Sequence, residues 1–98
     1  MLSLSISASP EAIDSIKSDL TKTLSEVKSS HRVEAVARGL GFSTYASMLA
    51  ATKNSSVSTA AFSWTETDGY LKNHNFTVAA EPFFIAIGRV AIQQLLVH

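Results

Sequence analysis

The sequence contains no cysteine and little charge, and both absences narrow the range of functions. Without cysteine the chain has no disulfide, no thiolate ligand for zinc and no cysteine nucleophile. Charged residues make up only 16% of the 98 residues, below the usual ~25%. Eight basic residues balance eight acidic ones, so no global positive field attracts nucleic acid. This composition, with 46% hydrophobic residues, indicates a globular domain with some apolar surface covered by a partner.

Long hydrophobic runs are also missing. The most apolar stretch, residues 82–97, is interrupted by Gly88, Arg89, Gln93 and Gln94. It is too short and too polar to span a bilayer. The beginning of the sequence has neither a basic leader nor a long apolar run, so we expect no signal peptide. The sequence therefore predicts a cytoplasmic protein with no membrane partner.

Periodic patterns predict one small, mainly α-helical domain that covers residues 1–98. Residues 2–8 alternate between apolar and polar side chains, which predicts a short strand, and residues 57–62 are its candidate partner. Residues 10–28 carry apolar side chains at steps of three and four, as in an amphipathic helix that Ser9 caps. In all we predict four or five short helices with a minor two-strand element.

The central part of the chain is the most recognisable unit, and it predicts a helical hairpin at residues 30–53. Ser29 or Ser30 is predicted to cap its first helix, and Ser43 to cap its second. Gly39 and Gly41 lie at the end of the first helix, where the chain needs a left-handed backbone that glycine adopts without steric penalty.

The last third of the chain predicts two further helices. The first begins at Ser63 or Thr65, and Asn75 beyond its end is suited to a left-handed conformation. The last helix begins at Pro82, ends at Val97 and is apolar nearly all round. A helix of this kind either fills the core or lies in an interface, which here would be formed with a second copy in a homodimer.

The hairpin invites comparison with a DNA-binding helix-turn-helix. Ala37, Gly41 and Ser43 match the small residue, the turn glycine and the cap of such a motif. Against this, Ser47 occupies a position that should be apolar. Phosphate contacts, which supply much of the affinity for DNA, need lysine or arginine. The local cations of the hairpin are few: Arg32, Arg38 and Lys53.

Catalytic motifs are absent from the sequence. His31 and Glu34 lie one helical turn apart and could present two metal ligands, but no His-Glu-x-x-His pattern supports them. The structural alternative is that Glu34 reaches back to the free amides at the start of its own helix. The sequence has no Gly-x-Ser-x-Gly elbow and no phosphate-binding loop. We therefore predict no enzyme, no cofactor and no metal.

One segment resembles a known pattern, carried by Ser30, His31, Glu34, Ala37, Leu40, Gly41, Phe42, Tyr45 and Leu49. It is similar to a short helical motif of uncharacterised proteins of bacterial plasmids and other mobile elements, and to the helical segment of glyoxalase-related proteins. The resemblance implies a bacterial origin and an accessory role in a mobile element. It does not imply glyoxalase chemistry, because the chain is too short for that barrel-like fold and lacks its metal ligands.

These observations predict a non-enzymatic accessory factor that binds another protein, for example a phage- or plasmid-encoded inhibitor of host defence. The alternative is a helix-turn-helix-like regulator that binds DNA. The candidate binding residues are polar side chains of the hairpin: His31, Arg32, Glu34, Arg38 and Lys53.

Overall fold

The structure is a computed structural model that describes residues 4–53 and 59–96. Over these residues the chain forms five helices and two strands, so the predicted mainly helical fold with a minor two-strand element is confirmed. In chain order the elements are β1 (Leu4–Ser7), α1 (Pro10–Thr23), α2 (Ser29–Gly39), α3 (Tyr45–Lys53), β2 (Thr59–Phe62), α4 (Trp64–Asn73) and α5 (Glu81–Leu96). No helix within the described residues is both long enough and apolar enough to cross a membrane.

The two strands pair antiparallel, as predicted, with Leu4 opposite Phe62 and Ser7 opposite Thr59. Residues 2, 3, 57 and 58 of the predicted strands lie outside the described residues. The side-chain amide of Gln94 on α5 extends the sheet: the Ser7 N–H donates to Gln94 Oε1 at 2.9 Å, and Gln94 Nε2 donates to the Ser7 carbonyl at 2.8 Å. Gln94 thus takes the place that a further strand would occupy.

Helix α1 begins as predicted and ends earlier than predicted. The Ser9 hydroxyl accepts a hydrogen bond from the Ala12 N–H at 3.1 Å, so Ser9 caps the helix. The predicted end at residue 28 is wrong, because the helix stops at Thr23. The side chain of Arg32 donates to the carbonyls of Leu24 and Val27, which lets both carbonyls leave the helical pattern while their side chains stay buried.

The predicted caps of the hairpin are wrong in detail. Lys28 occupies the N-cap position of α2, with no side-chain hydrogen bond, rather than Ser29 or Ser30. Thr44 caps α3 rather than Ser43. Its hydroxyl accepts from the Ser47 N–H at 3.0 Å, while its own N–H donates to the Ser47 hydroxyl at 3.2 Å. This reciprocal pair is a capping box, and it gives Ser47 a local role at the start of α3.

The turn between α2 and α3 has the predicted left-handed backbone at Gly41, but the same prediction for Gly39 is wrong, because Gly39 is the last helical residue of α2. Gly41 has φ +92°. The Gly41 N–H donates to the Arg38 carbonyl at 3.1 Å, and the Phe42 N–H donates to the Ala37 carbonyl at 2.9 Å. These two bonds form a Schellman motif, which satisfies the last carbonyls of α2. The left-handed conformation predicted for Asn75 is also confirmed, with φ 66°.

Helix α5 begins one residue before the predicted Pro82, and Val97 lies outside the described residues. Its inner face is completely buried and packs against α1 and β1. The inner-face residues are Phe83, Ala86, Ile87 and Val90. They join a core cluster to which α1, α2, α3, α4 and both strands contribute side chains.

Candidate functional site

The side chain of His31, on α2, is partly buried and packs against α4. Its Nδ1 atom forms a hydrogen bond of 3.0 Å with the hydroxyl of Tyr70. Its ring lies 4.7 Å from the ring of His74 and 5.3 Å from that of Phe76, measured between centroids. His74 in turn forms a bond of 2.9 Å from its Nδ1 atom to the Tyr70 carbonyl. His31 is therefore one member of an aromatic cluster that joins α2 to the end of α4.

Glu34 lies one turn further along α2 and faces a different helix. Its Oε2 atom accepts a hydrogen bond of 3.0 Å from the backbone N–H of Tyr45, the first residue of α3. Glu34 therefore supports the positive end of α3, and the expectation that it reaches back to the start of α2 is wrong. His31 and Glu34 have separate partners. Among the described residues, no three His, Cys, Asp or Glu side chains are grouped to hold a metal ion.

The two arginines of α2 also contact the rest of the fold. Arg32 donates to the two carbonyls beyond the end of α1, as described above. Arg38 donates from Nε to the Ser43 carbonyl at 2.7 Å, and its guanidinium lies 5.6 Å from the centroid of the Tyr70 ring. The remaining candidate, Lys53, is the exposed last residue of α3.

Tyr70 is the residue that connects these side chains, and the sequence prediction missed it. Burial raises the pKa of its hydroxyl above the ordinary value, and the nearby carboxylate of Glu34 raises it further, while Arg38 opposes the shift. The hydroxyl therefore stays protonated and remains a hydrogen-bonding partner for His31. The weak signal in the sequence was the spacing of Tyr70 and His74, which places both on one face of α4.

The predicted site residues thus divide by their contacts. His31 and Arg38 both contact Tyr70. Glu34 accepts a hydrogen bond from the first residue of α3, and Arg32 donates to carbonyls just beyond the end of α1. Each of these four side chains joins α2 to a neighbouring segment of the chain. Contacts of this kind stabilise the fold. Only Lys53 stands apart from this arrangement.

A different surface carries large exposed apolar side chains, and it lies on α5 opposite the buried inner face. Four large apolar side chains there are exposed, with fractional exposures of 49% for Ile85, 60% for Ile92, 78% for Leu95 and 80% for Leu96. We call these four residues the outer face of α5. They lie on one side of the helix as a stripe, because Ile92 follows Ile85 by about two turns, and Leu95 and Leu96 follow Ile92 by about one turn.

A shallow groove runs along each side of the outer face. The first, of about 230 Å³, lies between α1 and α5, where Ile85 meets Asp19 and Lys22. Arg89 lies at this groove and contacts Asp19 through Nη1 and Oδ1 at 3.4 Å. The second groove, of about 260 Å³, lies between β1 and α5 beside Leu95. The outer face is therefore an apolar ridge with a polar, charged border.

Comparison with known proteins finds no matching family model, no matching curated protein and no matching solved structure.

Proposed function

We propose that this protein works by binding another protein chain, without catalysing a reaction, and that the outer face of α5 is its binding surface. The observation that carries the proposal is the exposure of Ile85, Ile92, Leu95 and Leu96 on one helix that already buries its other side. Monomeric proteins rarely expose contiguous apolar patches of this kind unless a partner covers them.

The energetics favour a partner that also makes polar contacts. Complete burial of an Ile or Leu side chain contributes about 1.5–3 kcal/mol. The four side chains are half to four-fifths exposed, so covering them would contribute roughly 4–8 kcal/mol. Association itself costs a comparable amount. The charged border around Arg89 and Lys22 would then supply the polar rim that most protein interfaces have.

The biological role that we propose comes from the resemblance rather than from the surface. The motif around His31 and Gly41 is similar to proteins of bacterial plasmids, which favours an accessory factor of a mobile element. An inhibitor of host defence, encoded by a phage or plasmid, is one form of this role. Such a factor acts by occupying a partner, so it needs a binding surface and no cofactor.

Binding of DNA through the α2–α3 hairpin remains the second candidate. The geometry that favours it is the tight Schellman turn at Gly41 between two short helices. The charges favour it less, because Arg32 and Arg38 donate to carbonyls of the protein and α3 carries only Lys53. Helix-turn-helix motifs have an apolar residue at the position that Ser47 occupies here. The next residue, Met48, is buried and contributes an apolar side chain to the core instead.

One experiment separates the two candidates: affinity capture from bacterial lysate, with and without nuclease, followed by mass spectrometry. We expect the tagged chain to retain a specific protein, whether a bacterial protein or an untagged copy of itself expressed in the same cells, with or without nuclease. Leu95→Glu should abolish this retention, because it places a charge in the apolar interface. Gln93→Glu is the matched control, since it adds the same charge at an exposed position of the same helix beside the stripe.

The outcomes are distinct. Retention that Leu95→Glu leaves unchanged would contradict binding through α5. Retention that nuclease removes, and that falls steeply with salt and with Lys53→Gln, would instead support the DNA candidate. Circular dichroism of each variant shows whether the fold is intact, so that loss of binding is not confused with unfolding.

A further inference from the structure

We propose that the chain that covers the outer face of α5 is a second copy of this protein, with the two α5 helices packed antiparallel about a two-fold axis that crosses the outer face at the level of residue 90. The inference rests on the proposed function, because it names the partner of that same surface. It is carried by three observations: the spacing of the apolar residues, an otherwise unexplained glycine, and the exposed area.

The spacing of the stripe suits a helix–helix contact. Ile85, Gly88, Ile92 and Leu95 follow one another at steps of three, four and three residues. This is the a/d pattern by which two helices pack side by side. The order of the steps is the same in both directions. In an antiparallel pair centred on residue 90, Ile85 therefore lies opposite Leu95 of the second copy, and Gly88 lies opposite Ile92 of the second copy.

Gly88 provides the second observation, because nothing inside one copy requires a glycine there. A Cβ atom at this position would meet only Leu4 Cδ1, at 3.9 Å, which is an ordinary contact. Glycine in the interior of a helix is unfavourable compared with alanine. An antiparallel partner explains it, because the missing side chain leaves space for Ile92 of the second copy and lets the two helices approach closely.

The exposed area matches what a small dimer needs. The fractional exposures of Ile85, Ile92, Leu95 and Leu96 amount to more than two complete side chains on each copy. A two-fold interface uses the stripe twice, so these residues alone would bury roughly 1,000 Å² in total, the lower bound for a specific interface. Side chains at the two grooves would add to this area. The formal net charge is +0, so two copies do not repel each other strongly.

A lipid surface fits the outer face less well than a second copy. Helices that lie on membranes carry lysine and arginine along the border of the apolar face. Here the border mixes signs, with Arg89 and Lys22 beside Asp19. Mixed charges on a short border are instead typical of the rim of a protein–protein interface.

The first test is the mass of the full chain in solution, measured by sedimentation equilibrium from micromolar to millimolar concentration. We expect a monomer–dimer equilibrium. Gly88→Leu should raise the dissociation constant at least about tenfold, because its side chain fills the space proposed for Ile92 of the second copy. The matched control is Gly69→Leu on α4, where a Cβ atom meets nothing within 4 Å and no apolar stripe is present. This variant should dimerise like the original protein.

The second test reads the orientation of the helices directly, and it is clean because the chain has no cysteine of its own. Two single variants, Ile85→Cys and Leu95→Cys, are mixed and oxidised. The antiparallel arrangement brings these positions together and should give mixed disulfide dimers, with little linkage of Ile85→Cys to itself. Linkage of each variant mainly to itself would indicate a parallel pair and would overturn the proposed arrangement.

The outcomes also separate this inference from the proposed function. A monomer at every concentration, combined with capture of a different protein that Leu95→Glu abolishes, would refute the second copy and keep binding through α5. A dimer that is insensitive to both Gly88→Leu and Leu95→Glu would refute the α5 interface itself. A dimer that both substitutions weaken, with mixed disulfides, is the result expected here.

Discussion

Replacement of Gly39 by alanine would test how closely α2 packs against β2 and α4. A Cβ atom at this position would lie 2.2 Å from Thr67 Oγ1 and 2.5 Å from Phe62 Cε1. Neither neighbour can move away easily. Thr67 is completely buried and donates to the Ala35 carbonyl at 2.8 Å, while the buried ring of Phe62 lies against two other phenylalanine rings. The backbone at Gly39 is also held, because its carbonyl accepts from the Ser63 N–H at 2.7 Å.

The expected loss follows from three contributions. Overpacking of a filled core costs about 1–3 kcal/mol, and disruption of the buried Thr67 hydrogen bond costs about 1 kcal/mol more. Alanine is favoured over glycine in a helix by about 1 kcal/mol, which offsets part of this loss. We therefore expect Gly39→Ala to lower the free energy of unfolding by roughly 1–3 kcal/mol. For a domain of this size, the melting temperature should fall by roughly 5–20 °C.

Thermal and urea unfolding, followed by the circular dichroism of the helices, would measure this loss. Gly69→Ala is the matched control, because a Cβ atom there meets nothing within 4 Å and α4 should gain up to about 1 kcal/mol. If Gly39→Ala proved as stable as the original protein, the close contact of α2 with Thr67 and Phe62 would be wrong. A change in stability similar to that of Gly69→Ala would refute the reasoning as well.

Two further predictions concern the side chains that hold α2 to its neighbours. Because the pKa of Tyr70 is raised in the folded protein, its neutral hydroxyl contributes stability that is fully present below about pH 10, the unfolded pKa, and is lost as the pH rises through the folded value. Urea unfolding below and above this pH range should show a loss of stability at high pH that is smaller in Tyr70→Phe than in the original protein; a loss of the same size in both would contradict the assignment. Glu34→Gln should destabilise the protein by about 0.5–1 kcal/mol at neutral pH, since it weakens the charged cap of α3. Urea unfolding measures this loss, the exposed Glu26→Gln should have no such effect, and equal stability of the two variants would show that the cap contributes little.

The parts of the fold that the sequence predicted depend on local sterics and periodicity. The strand at Ile6, the cap at Ser9 and the left-handed turns at Gly41 and Asn75 each follow from a few neighbouring residues. The end of α1 does not, because it depends on Arg32, which reaches back from the next helix to the carbonyls of Leu24 and Val27 just beyond α1. A pattern of apolar residues continues through Leu24 to Val27 whether or not the backbone remains helical.

The roles of the candidate site residues were harder to predict, for a similar reason. His31 and Tyr70 are 39 positions apart in the chain, and only the packing of α2 on α4 brings them together. A polar side chain on a short helix looks the same in the sequence whether it faces a partner or another helix. Glu34 shows this well: its spacing suited both a metal ligand and a cap of its own helix, and it proved to support α3.

The last helix shows where composition and structure complement each other. An all-round apolar pattern predicts either a core helix or an interface helix, and hydropathy alone cannot choose between them. In the fold, the side that carries Phe83 and Ile87 is buried in the core. The side that carries Ile92 is left exposed, and its residues follow one another at regular steps of three and four. It includes a glycine, Gly88, at a position where a side chain would meet no close contact within one copy. The two predictions are therefore compatible rather than exclusive: the inner side completes the core, and the outer side carries the exposed residues on which we propose that a second helix packs.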